Sequence, residues 1–167
     1  MQAALAAQAR DLVPGGARAI HPDELHLTLA FLGPLAPEVL RCVEKAAERV
    51  ESAPFELLIG RIGLFDRARV LWCAPDFPLQ PLIGLVSGLR GQLEVCDLTL
   101  DPRPYRPHVT LARRVAAAAS VKWPTAVRWP VREFVLAAGY GGAGPRYRIR
   151  RRWPLALDRS ETGRDPV

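Results

Sequence analysis

The residues best suited to chemistry are two histidines in nearly identical settings. Glu24-Leu25-His26-Leu27-Thr28-Leu29-Ala30-Phe31-Leu32-Gly33 carries the first, and Arg106-Pro107-His108-Val109-Thr110-Leu111-Ala112-Arg113 carries the second. Both read His, apolar, Thr, Leu, Ala. The chain has three His and five Thr, and two of those His each stand two residues ahead of a Thr. Side chains alternate between faces along an extended strand. His26 and Thr28 then share one face while Leu27 and Leu29 line the other, and His108 and Thr110 repeat the pattern. A single His-x-Thr is commonplace, because structural histidines sit in many sheets. Two copies in one small chain, each followed by Leu-Ala, make two unrelated structural histidines a poor account.

Two imidazoles on facing walls of a cleft supply a general base and a general acid near neutral pH. Two Thr hydroxyls beside them can hydrogen-bond the non-bridging oxygens of a phosphate. Arg113 adds a guanidinium able to clamp the same group. A strained phosphodiester suits this set, since it needs water activated on one side and an alkoxide protonated on the other. A 2′,3′-cyclic phosphate fits. The acidic residues form no cluster, so no metal and no cofactor are expected. Phe31 and Tyr105 could stack on a base, although core packing is the favoured reading of Phe31. His21 reads as a loop residue.

The elements that must position these groups alternate between helical and strand-like. Residues 2–12 read as a short helix stopped by Pro14-Gly15-Gly16, and 17–20 as an extended piece before the His21-Pro22-Asp23 turn. The first motif is expected as a strand over 25–31, ended by Gly33-Pro34. Residues 37–50 predict a helix, with Pro37 and Glu38 in its first turn. Residues 55–65 and 69–74 predict a hairpin about Asp66-Arg67-Ala68. A helix over 80–95 presents Leu82, Leu85, Val86, Leu89 and Leu93 on one face. Its Gly84, Gly88 and Gly91 each cost about 1 kcal/mol against Ala, and close packing of Gly84 and Gly88 against a sheet is the expected compensation. The second motif strand covers 106–113. Residues 116–127 are ambiguous, 131–138 read as a strand, 139–144 as a loop and 146–155 as a final strand. That last strand would put Arg146, Arg148, Arg150 and Arg152 on one face. The pattern is α+β with a pseudo-two-fold: one domain over 1–157 and a polar tail over 158–167.

Composition sets outer limits. An apolar fraction of 49% over 167 residues supports a packed core. No apolar run reaches the roughly 20 residues needed to span a bilayer, and the opening residues lack the form of a signal peptide. Cys42, Cys73 and Cys96 fit neither a disulfide framework nor a zinc pattern, so buried thiols in a cytoplasmic monomer are expected. The net charge of +6 and pI near 9.9 suit a polyanionic partner. Only Lys45 and Lys122 among 23 basic residues are Lys, so part of the Arg excess reflects composition.

The paired motifs resemble the H-x-T-x signatures of the 2H phosphoesterases. More specifically, the chain is similar to the LigT-like RNA 2′,3′-cyclic phosphodiesterases of the 2′-5′ RNA ligase family. The likeness extends to Asp23-Glu24-Leu25, Phe31-Leu32-Gly33, Arg69-Val70-Leu71-Trp72, Arg103-Pro104-Tyr105-Arg106-Pro107 and the strand from Tyr147 to Leu155, about residues 3 to 155 in all. It implies a bilobal α+β fold, with two antiparallel sheets flanking a central cleft and helices outside. It implies hydrolysis of RNA 2′,3′-cyclic phosphate ends to 2′-phosphates, with His108 activating water, His26 protonating the leaving 3′ oxygen, and Thr28 and Thr110 holding the phosphate. Weak 2′-5′ ligation by the same site is implied as well. Other readings are a 2H enzyme for a small cyclic nucleotide, such as ADP-ribose 1″,2″-cyclic phosphate, and a non-catalytic RNA-end-binding module. Two departures stand out. The chain opens at its first helix, so the family's N-terminal strand reads as absent or upstream of Met1. The segment Phe134-Val135-Leu136-Ala137-Ala138-Gly139 lacks the Glu-Ser pair often found there.

Overall fold

A computed structural model describes residues 1–77, 79–116, 123, 125–139 and 147–156. Its strands are β1 (Arg18–Ala19), β2 (Phe55–Phe65), β3 (Val70–Pro75), β4 (Val109–Arg113), β5 (Val127–Val131), β6 (Glu133–Gly139) and β7 (Tyr147–Pro154). The helices are α1 (Gln2–Arg10), α2 (Pro37–Glu48) and α3 (Gln80–Leu93), with 3₁₀ turns at Pro22–Glu24 and Glu94–Cys96. Five strands form an antiparallel sheet in the order β1-β4-β3-β2-β5, and β6 and β7 form a second, two-stranded one. This is the α+β, two-sheet arrangement expected.

Local sequence accounts for most elements. Pro37 begins α2, Glu38 lies in its first turn and Lys45 in its last, matching the helix dipole. The β2–β3 hairpin turns through Arg69, which has φ 53° and donates its N–H to the Asp66 carbonyl. Gly63 of β2 lies under the Trp72 indole, where an added Cβ would sit 2.3 Å from a ring carbon.

Two apolar cores result. The first packs Leu5 and Ala9 of α1 against Leu57, Ile59, Leu71, Cys73, Val109, Leu111 and Ala112 of the five-stranded sheet. The second joins Val43, Ala46 and Ala47 of α2, Leu85, Leu89 and Leu93 of α3, and Phe134 and Trp153 of the small sheet. Leu29, Phe55 and Val131 touch both.

Several expectations need correction. The first motif makes no strand over 25–31: its ladder contact is one antiparallel bridge, Leu27 to Val109. Alternation sets which face a side chain takes but says nothing about whether a neighbouring backbone is there to pair. Residues 127–131, which run from the end of the ambiguous stretch to the start of the strand expected over 131–138, form β5 because Val127 to Val131 pair with Phe55 to Ile59. A Cβ at Gly84 or Gly88 would meet nothing within 4 Å, so these glycines face open space rather than a sheet. Cys42 and Cys96, 54 residues apart, are disulfide-bonded, and only Cys73 is a free thiol. Folding brings α2 and the 3₁₀ turn after α3 together, which spacing alone does not show. The ambiguous stretch 116–127 falls largely outside the described residues, as do the glycine loop and the tail. No helix among the described residues is long and apolar enough to cross a membrane.

Candidate active site

The Leu27–Val109 bridge fixes the geometry of the two motifs. In an antiparallel pair, the residues flanking a bridge face one another in reverse order. His26 therefore lies across from Thr110, and Thr28 across from His108. Leu27 and Val109 turn toward the first core, where Val109 is fully buried. All four polar side chains thus stand on the opposite, open face. The outcome is a crossed quartet with the two histidines on one diagonal and the two threonines on the other. Diagonal neighbours in such a pair are about 7–8 Å apart, room for one phosphoryl group between the imidazoles.

Each imidazole is held the same way. His26 Nδ1 lies 2.6 Å from the Glu24 carbonyl, and His108 Nδ1 lies 2.8 Å from the Arg106 carbonyl, each two residues back. A carbonyl only accepts, so Nδ1 carries the hydrogen in both rings and Nε2 is left for the open face. An aromatic edge flanks each ring. Tyr147 meets His26 at 4.8 Å between centroids and 67°, and Phe65 meets His108 at 5.1 Å and 90°. Phe65 also packs on Trp72 at 5.3 Å, and Trp72 pairs with Thr110 across the ladder.

The surrounding elements brace this arrangement. Gln2 of α1 donates from Nε2 to the carbonyls of Asp23 and Leu25, at 3.2 and 3.0 Å. Gly33, at φ +67°, ends the first segment where an L side chain would be strained. Tyr105 donates its hydroxyl to the Thr28 carbonyl at 3.1 Å, tying the approach to the second motif onto the first. Burial pushes the Tyr105 phenol well above its ordinary range. This half-buried ring is a brace more than a free stacking surface. Upstream of it, the Arg103 guanidinium holds the Asp101 carboxyl down at about 2.

Other expected residues fall variously. Ladder pairs skip from Ala112 to Thr110 opposite Leu71 and Trp72, so Leu111 is a β-bulge residue. That extra residue brings Arg113, paired with Val70, onto the face of Thr110 and Trp72. Strict alternation would have turned it away. Arg18 of β1 pairs with Arg113, adding a second guanidinium that sequence reading missed. Phe31 is 79% exposed rather than core. His21 is a loop residue that caps the 3₁₀ turn by accepting from the Asp23 N–H. A second bulge, at Arg150 between Arg151 and Ile149, breaks the expected arginine face of β7. Arg152 pairs with Glu133, and Arg151 with Glu44 and Glu48. Phe65 and Tyr147 carried no signal in the sequence, because their contacts depend on the hairpin register and on that bulge. Among the described residues, no three His, Cys, Asp or Glu side chains form a group that could hold a metal.

A two-sheet α+β fold with paired His-x-Thr segments on one open face defines a phosphoesterase of the 2H type. A model of the 2′-5′ RNA ligase superfamily matches residues 2–142, and the chain belongs to that family. It is 34% identical over 145 residues to the RNA 2′,3′-cyclic phosphodiesterase of Escherichia coli, covering 85% of this chain and 82% of that one. The enzyme of the same name from Thermus thermophilus is 31% identical over 163 residues, covering 90% and 80%. The crystal structure of E. coli LigT complexed with 3′-AMP superposes with a TM-score of 0.77 at 31% identity, covering 91% of this chain and 93% of that one.

Proposed function

We propose that this chain is an RNA 2′,3′-cyclic phosphodiesterase that opens the cyclic phosphate to a 2′-phosphate by paired-histidine acid–base chemistry. Relatives bearing that activity in their names, matched over most of both chains, support the reaction class. The observation that carries the mechanism is the crossed quartet with both Nδ1 atoms engaged and both Nε2 atoms free for the open face.

In this reading the cyclic phosphate sits between the imidazoles, its non-bridging oxygens on the Thr28 and Thr110 hydroxyls and within reach of Arg113. His108, neutral, takes a proton from water at Nε2 as the water oxygen bonds to phosphorus. The P–O3′ bond breaks, and His26, protonated, delivers its Nε2 hydrogen to the departing 3′ oxygen. A 2′-phosphomonoester and a free 3′-hydroxyl result, and the proton gained by His108 balances the one lost by His26. With a 5′-hydroxyl in place of the attacking water, the same forward steps give weak 2′-5′ ligation. One histidine must be neutral and the other charged, so kcat/KM follows a bell in pH.

The test is conversion of a short RNA ending in a 2′,3′-cyclic phosphate, with EDTA present, and identification of the product. The expected product is a 2′-phosphate, with turnover reduced about 10²–10⁴-fold in His26→Ala and in His108→Ala. A 3′-phosphate would reverse the oxygen that leaves, and full activity in either variant would overturn the mechanism.

A further inference from the structure

The two motif histidines have unlike aromatic neighbours. Phe65, beside His108, already has its ring packed on Trp72. Tyr147, beside His26, is 45% exposed and begins a row of similar residues. The β6–β7 register pairs Gly139 with Tyr147, Ala137 with Ile149 and Val135 with Arg152. Directly paired residues share a face, and alternation along β6 sets this face opposite the buried Phe134. Contact between Tyr147 and His26 shows that it is the face turned toward the quartet. The Arg150 bulge is what delivers Tyr147 and Ile149 there, a re-aiming that bulges commonly produce.

On this face Val135 and Ile149 are 39% and 48% exposed. Gly139 and Ala137, between and beside the larger residues, keep it shallow. At the far end Arg152 and Glu133 satisfy one another. Among the residues that the ladder places on this face between that ion pair and His26, the Tyr147 hydroxyl is the one side-chain hydrogen-bonding group; the bulge residue Arg150 is assigned to neither face by the pairing. A bare apolar strip in the cleft is a solvation cost unless something covers it.

We propose that Tyr147, Ile149 and Val135 form a stacking shelf for the base of the nucleoside whose cyclic phosphate is cleaved. This rests on the phosphodiesterase reading above. Continuity selects the occupant: the ribose links phosphate to base, so a phosphate held by the quartet leaves its base beside the ring that abuts His26. The shelf reads no base edge, and every base has a π-face. It therefore accepts all four bases and discriminates against a substrate with none.

The experiment compares wild type, Tyr147→Phe, Tyr147→Ala and Ile149→Ser on two substrates: an RNA ending in a nucleoside 2′,3′-cyclic phosphate, and the same RNA whose terminal ribose lacks its base. For the base-bearing end, Tyr147→Ala raises KM about 10–100-fold, the range set by one aromatic–base stack. Ile149→Ser raises it less, and Tyr147→Phe behaves as wild type. The base-free end starts with the higher KM, and Tyr147→Ala raises it by a smaller factor than it does for the base-bearing end. An equal loss on both substrates, or none on either, overturns the shelf. Binding of adenosine 2′-monophosphate and of methyl riboside 2-phosphate, followed by calorimetry, separates this inference from the reaction. If wild type turns over neither RNA, the phosphodiesterase reading fails. Tighter binding of the adenosine compound that is lost in Tyr147→Ala still supports the shelf, and equal binding of the two probes overturns it.

Discussion

The two motifs share a wording but are anchored by different forces. The second, in β4, is hydrogen-bonded on both sides, to β1 and to β3. The first meets that sheet at a single bridge. Its hold comes from side chains: Leu27 and Leu29 pack on the first core, and Leu29, Ala30 and Leu32 pack on the second. Gln2 and Tyr105 add hydrogen bonds to its carbonyls. The same local bond to a carbonyl two residues back fixes both imidazoles nonetheless. Positioning of each motif imidazole depends here on its own short backbone segment, while the wider support is free to differ.

The sharpest way to break this contrast is to truncate one leucine in each motif. Leu111→Ala, at a residue 1% exposed, costs about 2–5 kcal/mol by urea unfolding. Leu29→Ala, half-buried, costs less than about 2 kcal/mol. Equal losses would mean the two segments are equally anchored. Hydrogen exchange sharpens the point, with amides of β4 exchanging slowly and those of residues 27–32 through low-energy local opening.

Next is the Cys42–Cys96 bond, which ties α2 to the end of α3 in the half of the molecule beneath the first motif. Closing its 54-residue separation removes denatured-state entropy equivalent to about 2–4 kcal/mol. Reduction therefore lowers Tm measurably, and Cys42→Ser reproduces the change. Cys73 does not contribute, because desolvation pushes its thiol up to about 12 and leaves it unreactive toward alkylation in the folded state. A Tm unaffected by reductant would show that packing alone secures this half.

Tyr105→Phe tests the link between the motifs. It removes one hydrogen bond, so stability falls by about 1 kcal/mol or less, while kcat/KM on the cyclic-phosphate RNA falls up to about fivefold as Thr28 loosens. Unchanged kinetics would show that the bridge alone positions Thr28. The smallest effect is at Gly88→Ala: an added Cβ meets nothing, and unfolding free energy rises about 0.5–1 kcal/mol.

Much of this was legible in the sequence because it depends on composition and period. The three main helices, the β2–β3 hairpin and the polar faces of the two motifs all follow from local pattern. What stayed hidden depends on register. The bulges at Leu111 and Arg150 each add a residue without any marker in the sequence, yet one turns Arg113 toward Thr110 and the other turns Tyr147 toward His26. Core packing was the favoured reading of Phe31, yet it is 79% exposed, because apolar type alone does not say which neighbours the fold will supply. The disulfide depends on tertiary proximity between segments that give no local sign of it.

The crossed quartet has a further consequence. Read from either end it spells the same thing, histidine facing threonine and then threonine facing histidine. A phosphate turned end for end meets an unchanged set of groups, so these four residues define an axis without an arrow. In the proposed site, direction enters through what flanks the quartet: Arg113 on the face of Thr110, and a packed phenyl at one histidine against an open phenol at the other.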